Sequence, residues 1–92
     1  MKTELHVTAS DVEAALRDAF APVELDVRDD SHLHAGHAGA REGRHFSVRL
    51  VSESFAGKTR VERHRLVYHA LDPLISRGIH ALAIDARAPR EH

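Results

Sequence analysis

Nine histidines and no cysteine in 92 residues set the chemistry open to this chain. Imidazole ligates metals and is the one side chain that ordinarily titrates near neutral pH. Three histidines, His32, His34 and His37, crowd into the segment Ser31-His-Leu-His-Ala-Gly-His-Ala-Gly39, whereas His64 and His80 sit in stretches that read as regular structure. Without thiolates the chain cannot hold an iron–sulfur cluster or a thiolate zinc site alone. It can lend nitrogen ligands to a metal that a partner also holds.

The same composition excludes other chemistry. Disulfides, thiol catalysis and thioredoxin-like exchange all need cysteine. No G-x-S-x-G, phosphate loop or paired-carboxylate arrangement stands out, so no catalysis is expected. The formal charge of −1 gives no global basic field, although protonating all nine histidines would carry it to +8. The N-terminus has no apolar signal core and the chain no membrane-length apolar run, which points to a cytoplasmic protein with no membrane partner.

These side chains must be positioned by a small number of elements. Ser10-Asp-Val-Glu13 has the form of a capping box, and Val12, Ala15, Leu16, Ala19 and Phe20 follow at one-face helical spacing until Ala21-Pro22. From Val23 to Arg28 apolar residues alternate with charge, as in a half-buried strand. Residues 31–43 carry three glycines and no periodicity, and read as a mobile loop. A second strand runs from Arg44 to Val51 with Phe46, Val48 and Leu50 facing the core. Ser52 to Lys58 is a turn, and Thr59-Arg-Val-Glu62 opens a longer helix. In that helix Val61, Val67, Tyr68, Leu71, Leu74 and Ile75 are expected to share one face. Pro73 should kink it or open its last turn, and Arg77-Gly78 closes it. Ile79 to Ala86 is a third strand, and 88–92 a frayed tail. The order α-β-β-α-β predicts one α+β domain over 1–92, with helices packed on a three-stranded mixed sheet.

Taken together and in order, Asp30-Ser-His-Leu-His34, His45-Phe46, Val51-Ser-Glu-Ser-Phe55, Gly57, Arg63-His-Arg-Leu-Val-Tyr68 and Ile79-His-Ala-Leu-Ala-Ile84 resemble the BolA family. The resemblance implies a fold like the class II KH domain. It also implies partnership with monothiol glutaredoxins through a shared [2Fe–2S] cluster, with glutathione supplied on the glutaredoxin side. Such a chain would be a monomer alone and a heterodimer with its partner. A role as a DNA-binding transcription regulator is reported for some members. The loop after His34 is a little longer than in many members and adds His37, and the C-terminus stops soon after the third strand.

The resemblance places the family's most constant cluster ligand at His80, which on residue type alone could equally be a strand-end histidine bonded to a carbonyl. It places a second ligand at His34, for which His37 could substitute. His64, on the apolar side of its helix, reads as a half-buried structural residue before it reads as a ligand. His45 precedes the core residue Phe46 and points to the opposite sheet face, with no assigned role. A competing reading takes the turn and helix over 52–75 as a nucleic-acid element, in the manner of a helix-turn-helix. There Lys58, Arg60, Arg63 and Arg65 would meet phosphates near a helix start. Against it, the G-x-x-G clamp of an RNA-binding KH domain is absent from this turn and helix, and the chain has no Asn or Gln to read bases.

Overall fold

Thr8, two residues before the expected cap, opens the first helix. The computed structural model describes residues 7–30 and 44–91; the loop 31–43, with His32, His34 and His37, lies outside them. Helix α1 spans Ala9–Phe20. The Thr8 hydroxyl accepts from the Asp11 backbone N–H at 3.1 Å, and the Asp11 carboxylate accepts from the Thr8 N–H at 3.0 Å. The Thr8 N–H, followed by the Thr8 hydroxyl, holds the Asp11 carboxyl below its ordinary range. Burial explains the choice of cap. With Thr8 capping, Val7 and Val12 take the two positions of a hydrophobic staple, and both are fully buried in one cluster. A Ser10 cap would put Ala9 and Ala14 there, with little to bury.

Strand β1 covers Glu24–Asp29 and β2 covers Arg44–Val51; they pair antiparallel, with Leu25 opposite Leu50 and Val27 opposite Val48. Strand β3, Ile79–Arg87, pairs parallel to β2, which places Leu82, Ile84 and Ala86 opposite Phe46, Val48 and Leu50. The order β1-β2-β3 puts the most buried strand, β2, in the centre. One face of this sheet packs on the helices, and Phe46, Val48 and Leu50 join Val12, Leu16, Phe20, Val67 and Leu71 in the core. Val23 stays outside the strand and is exposed, so the alternation expected from it begins one residue later.

Between β2 and the second helix a short 3-10 turn, Glu53–Phe55, drops Phe55 into the core beside Phe20, with ring centres 5.0 Å apart. Ser52 fastens this turn: its buried hydroxyl donates to the Phe20 carbonyl at 2.7 Å and accepts from the Ser54 N–H at 3.0 Å. Helix α2, Arg60–Ile75, starts with the expected Thr59/Glu62 capping box and runs through Pro73 into its last turn.

Two further expectations need correction. Val67, Leu71 and Leu74 of α2 are buried, but Val61 and Tyr68 are 58% and 44% exposed. At about 100° per residue Val61 and Tyr68 lie roughly 100–120° round the helix from Val67, so one broad apolar face splits into a core stripe and an outward stripe. The C-terminus is not frayed over 88–91 either. Ala88 is buried, Pro89–Glu91 form a 3-10 turn, and the Arg63 guanidinium donates to both Glu91 carboxylate oxygens at 2.6 and 2.8 Å. No helix among the described residues is long and apolar enough to cross a membrane.

Candidate metal centre

His80 is the second residue of β3, and a local irregularity decides where it stands. Gly78, at a φ of 139°, makes the turn out of α2 that an L side chain would resist. Its carbonyl accepts from the Arg44 N–H at 2.9 Å, which joins the start of β2 to the start of β3. The parallel ladder then slips: Arg44 pairs with Ile79, but His45 pairs with Ala81. His80 is the extra residue of this bulge, the kind of device that re-aims a side chain. The result is a pair of imidazoles, His45 and His80, with ring centres 5.3 Å apart and planes inclined by 53°. His80 is exposed and His45 half-buried.

The surroundings of the pair are firmly built. The Asp30 N–H donates to the His45 carbonyl at 2.7 Å, and the Ser47 hydroxyl donates to the Asp30 carboxylate. On the helix-facing side Arg44 pairs with Asp29 at 2.7 Å. Asp30, bonded to the His45 carbonyl, and Arg44, which precedes His45, flank the segment 31–43 in the sequence. His34 follows Asp30 by four residues in the sequence. His34, His37 and His32 themselves lie outside the described residues. Among the described residues no three His, Cys, Asp or Glu side chains gather into a metal-holding group.

His64 is elsewhere. It sits half-buried on α2 and walls a cleft of about 620 Å³ together with Lys58, Arg60, Arg63, Ile84, Asp85, Ala86, Arg87 and Glu91. That cleft is four to seven residues along β3 from His80, roughly 13–23 Å at the rise of a strand. The fold does not bring His64 to the histidine pair.

The four basic residues of the turn and helix separate too. Lys58, Arg60 and Arg63 line the cleft, while Arg65 lies on the outward stripe with Val61, Tyr68 and His69. Arg63 is committed. Its side chain is only 12% exposed and donates to the Lys58 and Ala86 carbonyls as well as to Glu91. The Glu91 bond raises the Arg63 pKa, and the Arg63 bond, followed by the Ala88 N–H, holds the Glu91 carboxyl down to about 2. Of this group Lys58 and Arg60 line the cleft with no ion pair among the described residues.

Sequence reading missed two of these features. His45 escaped because its partner is set by cross-strand register; the signal within reach was strand parity, which puts His45 opposite the start of a parallel β3. Glu91 escaped because its partner lies 28 residues away.

Residues 16–91 match the family model for BolA-like proteins. The chain is 44% identical over 87 residues to the protein named BOLA1, chloroplastic, of Arabidopsis thaliana, covering 90% of this chain and 54% of that one. It thus spans about half the length of that relative. It is 41% identical over 80 residues to the DNA-binding transcriptional regulator BolA of Escherichia coli, covering 87% of this chain and 74% of that one. The solved BolA domain of SufE1 from Arabidopsis thaliana superposes with a TM-score of 0.81 at 44% identity, over 91% of this chain and 94% of that one. Since one relative carries a chloroplast label in its name, the similarity does not carry the cytoplasmic expectation over to this chain.

Proposed function

This chain belongs to the BolA family, and on that premise we propose that it works as a partner of a monothiol glutaredoxin, sharing a [2Fe–2S] cluster through histidine ligands. The observation that carries the reading is the exposed His80 imidazole, held by a bulge at the end of a sheet strand beside His45. A strand-borne ligand has a fixed backbone and is presented at low entropic cost. The donor set fits a shared group and does not fit one held alone. Two imidazoles stand together among the described residues, and the chain has no thiolate, so the remaining iron ligands come from a loop histidine and from the partner. When bound, the cluster supplies one-electron redox chemistry at a potential raised by imidazole ligation. Of the chain's own residues, His80 ligates, His34 or His37 completes the set, and Arg44 with Asp29 holds the sheet end beneath them. The free chain is a monomer that pairs one-to-one with its partner and performs no catalysis of its own.

The test is reconstitution of the chain with a monothiol glutaredoxin, glutathione, iron and sulfide. Native mass spectrometry should show a one-to-one heterodimer carrying one cluster. Products confined to cluster-bound glutaredoxin homodimers would overturn the reading.

A second reading is DNA binding through 52–75, favoured by Lys58 and Arg60 at the start of α2 and by the name of the E. coli relative. Arg63 is withdrawn from it by Glu91. A shift of duplex DNA by the chain alone, weakening steeply with salt and lost in a Lys58→Ala, Arg60→Ala double variant, would support it.

A further inference from the structure

We propose that His45 and His80 together form a two-imidazole site for a single borderline divalent transition-metal ion, Cu2+ most tightly and Zn2+ next. The spacing is the first argument. With metal–nitrogen bonds of about 2.0 Å and the ring centre about 1.1–1.2 Å behind the nitrogen, two imidazoles have centres about 5 Å apart on a tetrahedral ion such as Zn2+ and about 4.5 Å apart at adjacent positions of a tetragonal ion such as Cu2+. The observed separation is 5.3 Å. The approach is built by the backbone: the slip between Arg44 and His45 inserts His80 as an extra residue, so that neighbouring strands offer two rings to one volume.

The ligand type selects the ion. Imidazole suits copper, zinc and nickel, and among divalent first-row ions copper binds nitrogen sites most strongly. Magnesium and calcium demand oxygen ligands, and the carboxylate of Asp30, whose N–H bonds the His45 carbonyl, is engaged by the Ser47 hydroxyl. Among the described residues no third His, Cys, Asp or Glu gathers here, so these two imidazoles are the ligands the sheet end supplies. Because the site uses His80, an ion held there and the shared cluster exclude one another on this chain.

The site is independent of the cluster reading, since it needs neither glutaredoxin nor sulfide, and either can fail alone. Cu2+ is the probe, titrated into the full chain against a competing chelator such as glycine. His45→Ala and His80→Ala should each weaken Cu2+ binding at least tenfold, and electron spin-echo modulation of the unaltered complex should show two imidazoles. Replacing His32, His34 and His37 together by Ala should change the affinity less than threefold. A His45→Ala chain that binds within threefold of the original would overturn the site. Should His45→Ala fail to fold, the unaltered chain decides. Sub-stoichiometric Cu2+ should broaden the His45 and His80 ring resonances first, and broadening that spares those two rings overturns the assignment.

Discussion

The two ends of β3 carry opposite kinds of polar chemistry. At the Ile79 end, a bulge brings the exposed His80 ring to His45, and among the described residues no third metal-binding side chain joins them. At the Arg87 end, charged groups are tied to one another: Arg63 to Glu91 and two carbonyls, and Arg87 to Asp85 at 2.8 Å. By composition the second end looks the more functional, since it holds the basic cluster. Geometry reverses this. A guanidinium whose donors are already satisfied by a carboxylate fork has little left for a phosphate, whereas an exposed imidazole on a rigid strand keeps its nitrogens for a ligand.

The strongest way to break the comparison is to remove the proposed ligand, His80. His80→Ala should abolish the cluster-bridged heterodimer while leaving the fold intact, as an exposed side chain removed from a strand end shifts stability by no more than about 0.5 kcal/mol. Visible absorption with native mass spectrometry, and circular dichroism on the free chain, check the two halves. A spectrally unchanged cluster in folded His80→Ala would transfer the ligand role away from this end.

At the other end the expected effects are on stability. Phe55→Ala removes a fully buried ring beneath the turn that leads into the cleft and should cost about 3–5 kcal/mol in urea unfolding. Cluster sharing by the fraction still folded should be unaffected. A loss of sharing without a loss of stability would mean that the two ends are coupled.

Acid separates them more finely. Arg63 holds the Glu91 carboxyl at about 2 against an ordinary value of 4.5, so its folded pKa is depressed. The stability it contributes is complete above the unfolded value and is lost as pH falls from about 4.5 toward about 2. Across that window the urea midpoint of the original chain should fall more steeply than that of Glu91→Gln, and the two curves should converge near pH 2. Parallel curves would show that the fork contributes nothing to folding.

The smallest effect is expected on the outward stripe of α2. Val61→Ser should alter stability by less than about 0.5 kcal/mol, whereas Leu71→Ala on the core stripe should cost about 2–5 kcal/mol. Comparable costs for the two would restore the single apolar face expected from periodicity.

Local rules determined much of this molecule before any packing was known. The alternation in β1 and β2, the Thr59/Glu62 box, the turn around Gly57 and the closure at Gly78 each depend on residues within a few positions of one another, and the element order follows from them. His80 at the head of β3 was legible for the same reason. What tertiary structure alone decided concerns choices between locally equivalent options and partners distant in sequence. Thr8 displaced Ser10 as a cap because only that register buries Val7 and Val12 together. Val61 and Tyr68 turned outward because a helix on a three-stranded sheet has room for one stripe at the interface, and Val67, Leu71 and Leu74 fill it. Glu91 found Arg63 across 28 residues, and His45 found His80 only through a one-residue slip in a parallel ladder. Strand register across a long connection leaves no local trace in the residues it joins, and it is register that turns two separate histidines into a pair.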